Sequence, residues 1–380
     1  MPLKSKAEQL KNTLLGTLTA DAASLGCHWI YDQQRIHDIT AGSPEFHNLD
    51  PADYQGVPSY FAHGKKDSGD FSHYGEQALT LLRSLSTNEG IYNRSHYQEL
   101  FCQHFGYGGN YRGYIDRTIR DSLDNITTHQ RQSSQQANTI AFDGDDEQKQ
   151  QLIALVTNII KQNQSVSAIE QSGLDNKDLS YARALFQALK TLADYHGADD
   201  EQLPAIAKLP ALIAIYAGDE HLEKLTESAV RVTNNNDRAV AFSQVASKMI
   251  ETAILTQDIP SVIEAARQSA TAEILILIDQ ALSFKNETTL EVTKQLGMNC
   301  NLECGIPSVI HNLSQQNTFT ESIKQNIYAG GDSCGRAILL GAVLGNSYGI
   351  AGEKGIPQAW IDKLNQKRTI EALFNTFQEG

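Results

Sequence analysis

The sequence predicts an all-α protein, and three observations carry that reading. Apolar residues recur at one-turn spacing in segment after segment. No stretch of convincing length alternates apolar and polar residues as a strand would. Helix-start signatures such as Thr318 with Glu321, a Ser/Thr-x-x-Glu box, precede apolar runs.

The first long helical pattern covers residues 5–31. Leu10, Leu14, Leu18 and Leu25 are interleaved with Gly16, Ala20, Ala22 and Ala23, a composition suited to close helix packing. Residues 33–71 read as a loop region, broken by Pro44, Pro51, Pro58 and four glycines. A loop of this length is either a wall or lid of a site or a structural excursion. Ser72-His73-Tyr74-Gly75-Glu76-Gln77 then leads into a helix through Leu85. His73 and Glu76 lie three apart, on one helix face, as a base with an orienting acid or as a packing pair.

Further along, Gly106–Tyr114 is rich in glycine and tyrosine, and Arg112 and Arg117 could meet a diphosphate there. Residues 127–150 are rich in Gln, Ser and Asp and read as a polar loop. From 151 onward helices follow one another: Leu152, Leu155, Val156, Ile159 and Ile160 form one stripe, and Ala182, Leu185, Phe186, Leu189 and Leu192 another. Ile206–Tyr216, Val230–Ala246 and Ala272–Leu282 continue the pattern, with no repeat of fixed period.

The C-terminal stretch Asn326–Gly349 organises the rest. Gly330 and Gly331 stop one helix, and Asp332 and Ser333 start the next. Gly341, Gly345 and Gly349 fall every four residues and leave a groove for a neighbouring helix. The loop Gly330–Arg336 would sit at a helix N-terminus, where backbone N–H groups suit an anion. A plain corner with a capping Asp is the alternative.

With 380 residues the chain can bury a large core. A net charge of −14 argues against a nucleic-acid or anionic-membrane surface. No run is apolar enough to span a bilayer, and the first residues lack a signal-peptide core. Five cysteines, an odd number, suggest free thiols and a cytoplasmic location; Cys300 and Cys304 read as buried thiols rather than chelators.

Gly330-Gly331-Asp332, the Gly-Ala run ending in Tyr348-Gly349, and Ile356–Trp360 resemble the last block of the ADP-ribosylglycohydrolase family. Thr19-Ala20-Asp21-Ala22 is similar to the family's first Gly-Asp-Ala block, with Ala for Gly, and the acidic residue closing that block falls by counting on His28, with Asp32 one turn beyond. Where the family has Thr-Asp-Asp-Thr, this chain has Ser72, His73 and Tyr74, and the run HYGEQ resembles the branch containing the jellyfish lens crystallins. The resemblance spans the whole chain. It implies a single helical-bundle domain over 1–380 in which these loops gather at one end.

In the family, the GGDTDT loop and the Thr-Asp-Asp loop hold metal ions. Here the first of these reads Asp332, Cys334 and Gly335, so Asp332 and Ser72 are the matching metal positions. Two Mg²⁺ ions need several hard oxygen ligands, which puts family-type metal chemistry in question; Mg²⁺ is left open and no other cofactor is expected.

Two functions from different classes follow. One is hydrolysis or binding of an ADP-ribosyl or related ribosyl conjugate at an altered site. Asp332, His28, His73 and Glu76 would then be the catalytic candidates. Arg336, Gly330, Gly331, Ser333, Asp32 and Tyr74 would contact the ligand, with Arg336 on a phosphate. Cys334 near a helix start is a further nucleophile candidate. The other function is that of a catalytically inactive, crystallin-like structural or nucleotide-binding relative. Neither reading calls for nucleic acid or membrane.

Overall fold

Ser5 opens the first helix by accepting a hydrogen bond from the Glu8 amide, and the helix runs Lys6–Ser24. A computed structural model describes residues 5–162 and 164–377 of the chain. Among the described residues there is no strand. The β pairings are isolated bridges such as Ile30 with Ser59, and the all-α expectation holds.

Two helices form the axis of the molecule, Lys6–Ser24 and Ser333–Tyr348. They touch backbone to backbone. A Cβ placed on Gly16 would collide with the Gly341 carbonyl, one on Gly341 with the Gly16 carbonyl, and one on Gly345 with the Asn12 carbonyl. The two expected small-residue faces are therefore one interface. Gly349 lies outside it: it takes φ 74° and ends the helix. Both helices are buried on nearly all sides, the first with polar Asn12, Thr13, Thr17 and Asp21 among its buried residues.

Around this pair pack His73–Thr87, Leu209–Tyr216, Asp237–Thr256, Leu302–Ser314 and Phe319–Tyr328. Phe319, Ile323 and Ile327 of the last are buried, and its Thr318–Glu321 capping box is present in both directions.

Arg117–Thr139, Asp146–Lys161 and Asn176–Leu189 enclose a second, smaller core of Ala137, Leu152, Val156, Ile160 and Leu185. This corrects the polar loop expected over 127–150, most of which is helix. The inward face of the Arg117–Thr139 helix is Ile119, Ser122 and Ile126, continued within 127–150 by Ser133 and Ala137. These positions keep helical spacing, but beyond residue 126 the small Ser133 and Ala137 stand where large apolar residues would have revealed it.

The loop region 33–71 holds a short helix, Gln33–Thr40, and a turn at Pro51–Tyr54, and is otherwise irregular. It is tied down rather than loose. The Tyr54 hydroxyl donates to the carbonyls of Gly26 and His28, and the Phe46 amide to Ala23. The first helical pattern, expected through residue 31, stops at Ser24; Leu25–Cys27 tightens and Trp29 takes φ 66°. That bend carries His28 toward the start of the Ser333–Tyr348 helix.

Candidate functional site

Three chain segments meet at that end of the axis. The Trp29 amide donates to the Gly331 carbonyl and the Gly331 amide to the Ile30 carbonyl, both at 2.8 Å. Gly330 and Gly331 take φ 74° and 63°, and the space beside each is filled by Met298. Glycine is required on both counts. Ser72, at the start of His73–Thr87, holds the third segment by donating its amide and hydroxyl to Asp21.

Asp332 is the centre. Its side chain is 0% exposed, yet charged groups are rarely so buried without partners. Oδ1 lies 2.9 Å from His28 Nε2 and accepts from the Gly335 amide at 2.9 Å; Oδ2 accepts from the Tyr74 hydroxyl at 2.7 Å. Burial alone would raise its pKa, but the hydrogen bonds from His28, the Tyr74 hydroxyl and the Gly335 amide outweigh it. The carboxyl sits well below its usual range.

His28 Nδ1 lies 2.8 Å from His63 Nε2. With an ionised Asp332 as acceptor, His28 donates from Nε2 and must accept at Nδ1, so His63 donates from Nε2. Burial lowers the pKa of both imidazoles, His63 the more strongly, and the neutral forms satisfy the chain His63→His28→Asp332. His63 Nδ1 is left without a partner.

Aromatic rings cover this chain. His28 stacks on Trp29 at 4.2 Å and on His63 at 4.9 Å. Trp29, Tyr60 and Tyr114 pack mutually at 5.0–5.7 Å between ring centres. His63, His73 and Tyr74 are buried at 1% exposure or less.

The structure thus brings together His28, Tyr74 and Asp332, with His73 stacked against Tyr74 at 4.0 Å between ring centres. His73 pairs with Asp116 rather than Glu76. Its Nε2 is 3.0 Å from Asp116 Oδ2, close enough for an ion pair but not aligned as a hydrogen bond. Glu76 faces elsewhere, toward Lys66, His104 and Gln366. Asp32 caps the Gln33–Thr40 helix through the Arg35 amide and takes no part in the Asp332 cluster.

Arg336 departs furthest from its expected phosphate role. It is 1% exposed, and its guanidinium donates to the Asn326 side chain and to the carbonyls of Asn326 and Gly330. It clamps the loop from inside, because the glycine turn leaves carbonyls that need buried donors.

The amides expected to hold an anion are equally engaged. Gly330 donates to Ile327, Gly331 to Ile30, Asp332 to Met298 and Ser333 to Gly331. The Ser333 hydroxyl faces the Ser24 carbonyl, and Ser72 faces Asp21. Cys334 is 0% exposed, and burial pushes its thiol well above the ordinary value, the reverse of an activated nucleophile.

Sequence reasoning missed His63, Trp29, Asp116 and the role of Asp21. His63 is a single histidine in an irregular loop, and no spacing marks it. Asp21 stood inside the first matched block and carried the available signal. Its burial raises its pKa to about 6, against the opposing bonds from Ser72.

Among the described residues no group of three or more His, Cys, Asp or Glu is arranged to hold a metal ion, and no helix is long and apolar enough to cross a membrane.

The ADP-ribosylglycohydrolase family model matches residues 2–379, and the chain belongs to that family. It is 25% identical to crystallin J1A of Tripedalia cystophora over 366 residues, 96% of this chain and 94% of the relative. It is 24% identical to crystallin J1B of the same animal over 368 residues, with the same coverage. A solved structure described as an ADP-ribosylglycohydrolase-related protein complex superposes with a TM-score of 0.62 at 13% identity, covering 99% of both chains, which establishes the shared fold.

Proposed function

We propose that this member of the ADP-ribosylglycohydrolase family does not carry out the family's metal-dependent hydrolysis, and that its three site loops serve as a buried polar lock in a crystallin-like structural protein. One observation carries this reading: both oxygens of Asp332 are held by protein donors inside a fully buried cluster.

The donor set does not fit two Mg²⁺ ions. Hard divalent cations take six or more oxygen ligands, several of them anionic. Here the positions matching Thr-Asp-Asp are Ser72, His73 and Tyr74. The Ser72 hydroxyl is turned to Asp21, the Tyr74 hydroxyl to Asp332, and rings of His28, His63 and Trp29 stand alongside. A cation would have to displace His28 and Tyr74 to reach the carboxylate.

The rate test is direct. The purified chain is incubated with ADP-ribosylated arginine and serine peptides in millimolar Mg²⁺, and released ADP-ribose is measured. The expected result is no release above buffer. Magnesium-dependent turnover would overturn the proposal. The five thiols, all unpaired, fit a reducing compartment such as the cytoplasm.

A second reading has its own observation. The chain Asp332–His28–His63 is arranged as an orienting acid, an imidazole and a second imidazole whose Nδ1 has no partner. ADP-ribose release insensitive to EDTA and abolished by His28→Gln would establish that reading in place of the lock.

A further inference from the structure

One helical turn beyond His73, a separate recess of about 570 Å³ opens between the loop after His63, the Gly106–Tyr114 segment and the C-terminal region. Its lining includes Lys65, Lys66, Arg83, His104 and Arg112, with Glu76 and Asp70 as its acids. Four fixed cations against two carboxylates leave a surplus of two positive charges. The chain as a whole carries −14, so the surplus runs against its average.

The floor of the recess is built. Glu76 is only 4% exposed. Its Oε1 receives Lys66 Nζ at 3.3 Å and Gln366 Nε2 at 2.9 Å, and its Oε2 lies 3.0 Å from His104 Nε2. Three distant segments therefore converge on one carboxylate and fix Lys66, whose ammonium also lies 4.6 Å from the centre of the Tyr111 ring. Asp70 accepts from the Asp67 amide and from Asn365 Nδ2.

Glu76 is thus paired from within, and Asp70 is turned to the neutral donors of Asp67 and Asn365. By contrast, Lys65, Arg83 and Arg112 make no ion pair among the described residues; Arg112 directs one nitrogen to the carbonyls of Gly109 and Tyr111. With the Lys66–Glu76 pair set aside, these three cations face one acid, Asp70; the excess of like charge is repulsive, and an anion relieves it.

We infer that this recess is a binding site for a phosphorylated small molecule carrying at least two negative charges, held by Lys65, Arg83 and Arg112 above the fixed Lys66–Glu76–His104 floor. Guanidinium forks match paired phosphate oxygens, and a lysine adds a mobile point charge. The volume lies within the range of small-molecule sites and exceeds what a lone inorganic ion needs. The site is independent of the Asp332 cluster, so its test does not turn on whether that cluster hydrolyses anything.

The test is isothermal titration at low salt with pyrophosphate, ADP and ADP-ribose, and with citrate as a non-phosphate polyanion. The wild type should bind at least one phosphorylated probe and bind citrate at least tenfold more weakly. The double variant Arg83→Gln/Arg112→Gln should weaken the phosphorylated probe at least tenfold. Arg117→Gln, an exposed arginine paired with Asp121 outside the recess, should leave it unchanged. Both altered arginines lie at the surface or half-buried, and circular dichroism with thermal unfolding checks that the variant folds. Pyrophosphate binding would point to a bare diphosphate ligand; binding of ADP or ADP-ribose alone would point to a nucleotide one. Absence of binding by the wild type, equal affinity for citrate, or equal affinity of wild type and double variant would each overturn the inference.

Discussion

His28 Nε2 sits 2.9 Å from Asp332 Oδ1, although 304 residues separate them in the chain. The contact joins the end of the first helix to the start of the helix it packs against most intimately. The same carboxylate caps that second helix through the Gly335 amide. Capping and pairing by one group make the juncture of the two axial helices depend on a single charge.

That dependence gives a stability prediction. Asp332→Ala would leave His28 Nε2, the Tyr74 hydroxyl and the Gly335 amide buried without their acceptor. Each buried donor left unsatisfied costs about 1–3 kcal/mol, so the three together are a large share of a typical folding free energy. Asp332→Asn keeps the shape and one acceptor but presents an amide N–H₂ to a donor, so it should cost less than the alanine change. Urea unfolding should rank the proteins wild type, Asn, Ala. A variant as stable as the wild type would show that the cluster is no lock.

The histidines set a pH dependence. Burial holds the pKa values of His28 and His63 below the ordinary 6.5, against the pull of Asp332 on His28. The unfolded chain therefore takes up protons first as pH falls. Their stabilising contribution is full above pH 6.5 and is lost as pH drops toward the folded values. Asp21 acts in the opposite sense. Its carboxyl, raised from 3.8 to about 6 chiefly by burial, favours the folded state at low pH and loses that contribution as pH rises through about 6.

His63→Phe separates these effects. It keeps an aromatic ring in the stack, removes the unpartnered Nδ1, and deletes one proton from the unfolded state's excess. Between pH 5 and 6 the variant's stability should rise with pH less steeply than the wild type's, by up to about 1.4 kcal/mol per pH unit. Denaturant midpoints measured across that window decide it; parallel profiles would show that His63 does not titrate on unfolding.

The contact between the axial helices predicts a steric effect. Gly341→Val would drive a branched side chain into the Gly16 carbonyl and Ala20 Cβ. Overpacking of this kind costs about 1–3 kcal/mol or more, since a backbone neighbour cannot rotate away. At Gly108 an added Cβ meets open space, and its positive φ alone should cost about 1 kcal/mol on change to alanine. Thermal unfolding should place Gly341→Val well below Gly108→Ala. A small shift for both would mean the helices are farther apart than described.

What was legible in the sequence follows a physical divide. The Ser333–Tyr348 helix and its neighbour Phe319–Tyr328 could be read because Gly341, Gly345 and the capping Thr318–Glu321 pair are local signals with local causes. The meeting of Gly330–Asp332, His28 and Tyr74 could be read only through resemblance, since nothing in the spacing of residues 28, 74 and 332 says that they touch. His63 could not be read at all: its place depends on how an irregular loop is pinned by Tyr54 and Phe46. Arg336 misled for a related reason. An arginine at a glycine-rich helix start looks like a phosphate ligand, but whether it turns outward or inward depends on buried carbonyls that the sequence does not display. The helix opening near Arg117 was legible, but its continuation through 127–139 escaped because the inward face there is Ser133 and Ala137, where leucine would have been visible.

The last prediction concerns metal removal. If the loops of Asp332, Ser72 and Asp21 held Mg²⁺, binding to the folded state alone would raise the unfolding temperature in proportion to the logarithm of free metal. At a hundredfold excess over the dissociation constant this linkage is worth about 2.7 kcal/mol, which a thermal scan resolves easily. In this chain the Asp332 oxygens already hold His28, Tyr74 and the Gly335 amide, and those of Asp21 hold the amide and hydroxyl of Ser72. A cation would have to break hydrogen bonds to charged acceptors, worth about 1.5–3 kcal/mol each, before gaining a ligand. The midpoint of unfolding should therefore be the same, within measurement, in 5 mM EDTA and in 5 mM MgCl₂, both at about 0.15 M ionic strength so that surface screening is matched. A rise with Mg²⁺ that disappears in Asp332→Asn would place the metal at this cluster and return the chain to the family's hydrolytic scheme.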